Sequence, residues 1–190
     1  MVYMAAALGV AGIFSQATQA ATLTVPGSAA TIQGAINLAS PGDTILVSPG
    51  TYGEFVDINK ANLIVQSTGG AAVTIIERNV NNDTPIVDIS ASGVTLGGVG
   101  MGFTINQQDP GPAGAAHAGN CAVRVKGDLI GTSTVSIINN ILTGNQTDEG
   151  LLVNPNITGG TLIVDSNLFS KNGGGFSFTD AMHFHFSNPG

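Results

Sequence analysis

The chain has 190 residues, a formal net charge of −7 and only five scattered basic side chains, which excludes the basic stripe that displaces counterions from a nucleic acid. Charged residues make up 9% of it, hydrophobic residues 43%, and 27 residues are glycine. This excludes a disordered chain, and Asn, Ser, Thr and Gln must form much of the wet surface, as suits β structure with many tight turns.

In chain order, Ala5 to Phe14 form a short apolar run, followed by the small and polar stretch Ser15 to Ala20. This is the pattern of a secretory signal peptide over residues 1–20, with Ala17 or Ala20 as its last residue, although no Lys or Arg precedes the run. The run is too short for a membrane span. It predicts a secreted, periplasmic or cell-surface protein whose remaining domain, residues 21–190, does not span a membrane. Next, Ile32, Ala35, Ile36 and Ala39 follow the i, i+3, i+4, i+7 spacing of an amphipathic helix. Ser28 or Thr31 can cap its start, and Pro41-Gly42 stops it.

Beyond the helix the chain repeats itself. Residues 135–145 (VSIINNILTGN) and 162–172 (LIVDSNLFSKN) share a strand, an Asn (Asn140, Asn167), a second strand and another Asn (Asn145, Asn172). A second series of four-residue strands aligns Val56, Val87, Val123, Leu151 and Phe176 at unequal offsets, as expected where loops of different length leave the corners of a coil. Alternation puts Val87 and Ile89, Val123 and Val125, Leu151 and Val153, and Phe176 and Phe178 on one side of their strands. Strands this short are stable only when stacked on equivalents in neighbouring coils. The expected fold is therefore all-β, a parallel β-helix whose short N-terminal α-helix covers the apolar end of the stack and its unpaired strand edges. Asn140 over Asn167 is expected to form a side-chain amide ladder.

The run from Thr31 to Ser67 carries Ile32, Gln33, Ala35, Ile36, Ala39, Gly42-Asp43-Thr44-Ile45, Val47, Pro49 to Tyr52, Glu54, Val56 and Ile58. This pattern resembles the N-terminal cap and first coil of the pectin-lyase-like right-handed parallel β-helix superfamily, in its periplasmic copper-protein, surface-protein and pectinesterase-like branches. The coil repeats extend the resemblance over most of residues 22–186. It implies a right-handed, single-stranded helix and a polysaccharide site on an outer strand face. Gly42-Asp43 and Pro49-Gly50 are expected to make turns. Tyr52 is expected to keep its hydroxyl wet, and Glu54 to bond backbone N–H groups.

The outward column of the second series contains Asp57, Asp88, Arg124, Leu152 and Ser177. A column two residues later contains Asn59, Ser90, Lys126, Asn154 and Thr179. Asp57, Asp88, Asn154 and Ser177 are the expected substrate-binding residues, and Asp57 with Asp88 could share a Ca²⁺ ion, which favours oxygen ligands. Arg124 or Lys126 beside the metal would then suit β-elimination of a uronate polymer. A wet face whose charges merely balance is the simpler reading. The acid–acid–Arg set in a glutamine-rich context of pectin methylesterases is not matched, and neither is the Gly-His-Gly segment of polygalacturonases. Asp148-Glu149 reads as a solvated corner, and His183 with His185 would need a third ligand, such as Asp180, to hold a metal.

The only cysteine, Cys121, excludes an internal disulfide and is expected to be a small buried side chain. The chain ends on Asn188-Pro189-Gly190 with no covering element, so a fragment of a longer β-helix, able to self-associate through its last coil, is expected. Functionally, the sequence predicts an extracellular polysaccharide-recognising domain without a matched catalytic set. The alternatives are a Ca²⁺-dependent uronate lyase or related carbohydrate-active enzyme, and a structural passenger segment of an adhesin.

Overall fold

A computed structural model describes residues 19–78, 84–107, 121–144, 149–154, 157–170 and 182–184. After β1 (Thr22–Val25) and α1 (Ile32–Leu38), the described residues make five coils of three strands each. The first coil is β2 (Thr44–Val47), β3 (Gly50–Tyr52) and β4 (Val56–Ile58). The second is β5 (Ile64–Ser67), β6 (Thr74–Arg78) and β7 (Val87–Ile89). The third is β8 (Thr95–Gly97), β9 (Thr104–Gln107) and β10 (Val123–Val125), followed by the two-residue β11 (Leu129–Ile130). The fourth is β12 (Thr134–Ile138), β13 (Ile141–Thr143) and β14 (Leu151–Val153), followed by β15 (Ile157–Thr158). The fifth is β16 (Thr161–Asp165), β17 (Leu168–Ser170) and β18 (Met182–Phe184).

Equivalent strands stack into three parallel sheets, ordered β1-β2-β5-β8-β12-β16, β3-β6-β9-β13-β17 and β4-β7-β10-β14-β18, while β11 and β15 pair as a small fourth. The chain is thus an all-β, right-handed, single-stranded parallel β-helix with a capping helix. Three inward rows are apolar and in register. One runs Leu23, Ile45, Val65, Leu96, Ile137, Val164. Another runs Tyr52, Ile76, Ile105, Leu142, Phe169. The third begins Val56, Val87, Val123, Leu151, each fully buried, as sequence alternation predicts.

One row member differs from expectation. Met182, not Phe176, pairs with Leu151, so MHF and not GFSF supplies the fifth strand of this sheet. Residues 171–181, with Phe176, Ser177 and Thr179, lie outside the described residues, as do residues 1–18 of the expected signal peptide.

The helix closes the stack through specific bonds. Thr31, not Ser28, is the N-cap, its Oγ1 accepting the Gly34 N–H at 3.0 Å. The carboxylate of Glu54 accepts the N–H groups of Ile32 and Gln33 at 2.9 and 2.8 Å, satisfying two more donors of the first turn. Gln33 Oε1 accepts the Asp57 N–H at 2.6 Å and its Nε2 donates to the Asp57 carbonyl at 3.3 Å. A side-chain amide thereby takes the place that a further strand would have held along the β4 edge. Tyr52 packs its ring against the core, and its hydroxyl donates to the Ser48 carbonyl at 2.9 Å. Among the described residues no helix is long and apolar enough to cross a membrane.

Asp43 ties the turn after the helix to β1. Its oxygens accept the N–H groups of Ala21 and Ser40, both at 2.7 Å, and these bonds hold its carboxyl below the usual carboxylate range. A depressed folded-state value adds stability that is fully present above about pH 4 and is lost as pH falls through the folded value. Asp43→Asn should therefore lower the denaturation midpoint at pH 7 and flatten its fall below pH 4, measured by urea titrations across pH.

Inside, Thr74 Oγ1 is buried with no hydrogen-bond partner among the described residues. Thr74→Val removes an unmet polar group while keeping the shape. It should raise stability by about 1 kcal/mol in urea unfolding.

Candidate functional site

Strands β4, β7, β10, β14 and β18 lie side by side, about 4.8 Å apart. Because side chains alternate within a strand, the middle residue of each, between two inward neighbours, faces outward. Asp57, Asp88, Arg124, Leu152 and His183 therefore form one continuous row. The first four are those expected from the sequence. His183 holds the fifth place, where spacing along the chain predicts Ser177.

Asp88 is the centre of this row. It is 2% exposed and buried beneath two cations. Arg124 Nε and Nη2 reach its two oxygens at 3.1 and 2.6 Å, and Lys126 Nζ reaches Oδ2 at 2.7 Å. The fork-shaped pairing holds the Arg124 guanidinium above its usual value, against the opposing effect of burial. Lys126 is the exposed member, at 44%. Asp57 instead bonds neutral groups, accepting from Ser90 Oγ at 3.1 Å and Asn59 Nδ2 at 3.2 Å. Ser90 and Lys126 of the second column thus each reach down to an acid of the first column on the coil below. Asn154 follows β14, exposed, with its N–H donating to the Val125 carbonyl at 2.8 Å.

This donor set does not fit Ca²⁺. Two carboxylates facing two cations carry no net charge, and Asp88 Oδ2 already takes two cationic donors. A calcium ion needs six to eight oxygens. Among the described residues no group of three or more His, Cys, Asp or Glu side chains is placed to hold a metal. Arg124, fixed on Asp88 and more firmly protonated for it, is also poorly suited to act as a base.

At the other end of the row the structure assembles a pair that sequence reasoning missed. Glu149 is 8% exposed rather than a solvated corner, and its Oε1 lies 3.0 Å from His183 Nδ1. Glu149 stands two residues before Leu151, and His183 sits directly above Leu152. Alternation and spacing assign the fifth strand of this sheet to 175–178, which leaves His183 out of the row. His185 and Asp180, the other expected metal ligands, lie outside the described residues. Cys121 is fully buried as expected, and burial pushes its thiol well up, so it is no nucleophile.

The fold is shared with proteins of known structure. A pectin methylesterase from Erwinia chrysanthemi matches with a TM-score of 0.52 at 19% identity, covering 71% of this chain and 47% of that one. A pectin methylesterase from Aspergillus niger matches at 0.50 and 15% identity, covering 82% and 58%. A pectin methylesterase in complex with a hexasaccharide matches at 0.51 and 18% identity, covering 71% and 48%. These similarities define the right-handed parallel β-helix architecture. The chain spans about half the length of the hexasaccharide-bound structure. No protein-family model matches the sequence, and no curated protein does either.

Proposed function

We propose that this is an extracellular or periplasmic domain that recognises polysaccharide along the outer face of the β4-β7-β10-β14-β18 sheet. The observation that carries the reading is the unbroken outward row of Asp57, Asp88, Arg124, Leu152 and His183, flanked by Ser90, Lys126 and Asn154. Polar groups at a fixed spacing, interrupted by the apolar Leu152, suit the alternating hydroxyl and C–H faces of a polymer of repeating sugars. Support comes also from the fold shared with pectin methylesterases, one of them holding a hexasaccharide, and from the signal-peptide pattern of residues 1–20. The buried Asp88 fixes the Arg124 fork, while the more exposed Lys126 can swing to an incoming carboxylate without stranding a buried charge.

The test is binding of the 190-residue chain to de-esterified polygalacturonate, methyl-esterified pectin and a neutral glucan. Binding to at least one is expected, and Lys126→Gln should weaken binding to the carboxylated polymer by about fivefold, about 1 kcal/mol. The loss should shrink in high salt. Absence of binding to all three would sink the proposal. The lyase alternative requires a cation and a base at Asp57, Asp88, Arg124 and Lys126, and the charge balance there favours neither.

A further inference from the structure

The fifth coil differs from the coils beneath it. Its inward side chains Leu162, Val164, Phe169 and Met182 are only partly buried, whereas Val135, Ile137, Leu142 and Leu151 directly below them are fully buried. Large apolar side chains are also exposed on it, Ile163 at 41%, Leu168 at 56% and Phe184 at 42%. Among the described residues, β16, β17 and β18 are each the last strand of their sheet. The Thr161 N–H donates to the Ser133 carbonyl at 2.9 Å, and the Asp165 carbonyl accepts the Asn139 N–H at 3.1 Å. Backbone groups alternate in direction along a strand, so the intervening Leu162 and Val164 turn theirs away from the coil below. Such an edge is a template for another strand. The opposite end of the stack offers none, because α1 covers it and Gln33 takes up the β4 edge.

We propose that the fifth coil is the docking surface for a second copy of the chain, through antiparallel pairing of β16 with β16 about a two-fold axis at Ile163. With α1 closing the other end, a head-to-tail stack has no surface to grow on, and the contact closes at a dimer. In this register Leu162 of one copy lies opposite Val164 of the other. Each of these N–H groups meets the carbonyl across from it, and the two-fold axis repeats the pair. The inward side chains of both copies then share one apolar core, and Ile163 packs on its own counterpart. Charge agrees with this register. Asp165, the only acid on the three strands of this coil, falls opposite Thr161 and not opposite its copy. The Thr161 hydroxyl can donate to it, and a chain of net charge −7 meets itself at an end with a single carboxylate per copy. Size agrees as well. The coil repeats after 27 residues, and a stable interface uses about 20–30 residues a side.

The experiment is sedimentation equilibrium of the 190-residue chain, with oxidative cross-linking of Ile163→Cys alongside. A species of twice the 19.0 kDa chain mass is expected at micromolar concentration. Opposed residues in the wide position of an antiparallel pair have Cα atoms about 4.5 Å apart, within the span of a disulfide. Ile163→Cys should therefore oxidise to a covalent dimer that a reductant reverses. Val99→Cys, at the 92% exposed Val99 of the third coil, is the control and should remain a monomer on the same gel. Cys121 is buried and takes no part. Ile163→Lys, which places like charges together on the axis, should weaken the dimer at least about tenfold, with an unchanged circular dichroism spectrum because Ile163 faces outward. A chain that is monomeric at every concentration, or an Ile163→Cys variant that cross-links no faster than Val99→Cys, overturns the inference. Polysaccharide binding is read separately, so neither result bears on that proposal.

Discussion

Replacing Arg124 and Lys126 together with Ala should destabilise the protein by about 3–5 kcal/mol, far more than either change alone. The reason is the burial of Asp88, 2% exposed, whose oxygens are shared between the two cations at 2.6 to 3.1 Å. Arg124→Ala leaves Lys126 on Oδ2, and Lys126→Ala leaves the two-pronged Arg124 pairing. Only the double change leaves the carboxylate uncompensated inside the protein. The excess over the sum of the single changes should reach at least about 1 kcal/mol in a double-mutant cycle by urea unfolding. Adding Asp88→Leu should recover most of the loss, because the stranded charge is then gone. Strictly additive single effects would contradict the shared-carboxylate arrangement.

Asn140→Ala is expected to cost about 3 kcal/mol. Asn140 is 1% exposed, and its side chain closes the corner between two sheets on three coils at once. Its Oδ1 accepts the Phe103 N–H at 2.9 Å on the coil below. Its Nδ2 donates to the Leu96 carbonyl at 3.1 Å and to Asn167 Oδ1 at 3.2 Å on the coil above. Alanine leaves buried backbone groups without partners, each carrying a desolvation penalty of about 1–3 kcal/mol. The corner offers little room for water to replace the amide, since a Cβ on Gly102 would lie 1.8 Å from the Asn139 carbonyl oxygen. Asn167→Ala, one coil nearer the end of the described stack, should cost less. Equal losses at the two positions in thermal unfolding would argue against a ladder stacked through the coils.

Much of the architecture was legible in the chain itself. The Asn140–Asn167 ladder, the helix from Ile32 and the inward Val56, Val87, Val123 and Leu151 follow from spacing alone, because short strands with one apolar face have a single way to bury it. The outward positions of Asp57, Asp88, Arg124 and Lys126 come with that register. Glu54 was expected to bond backbone N–H groups, and the helix start supplies them.

Three features needed the folded molecule. Which segment forms the fifth strand could not be read from residues 171–186, where GFSF and MHFHF carry the same alternation. Pairing of Leu151 with Met182 decides it and brings His183 into the row. That Asp88 takes two cations and Asp57 takes neutral partners depends on side chains reaching between coils, a distance set by strand stacking and invisible to spacing along the chain. The burial of Glu149 beneath the final coil has the same origin. Period-two alternation in the sequence determined which residues face out together, whereas the lengths of the corner loops, absorbed only when the coils stack, determined which of those residues meet.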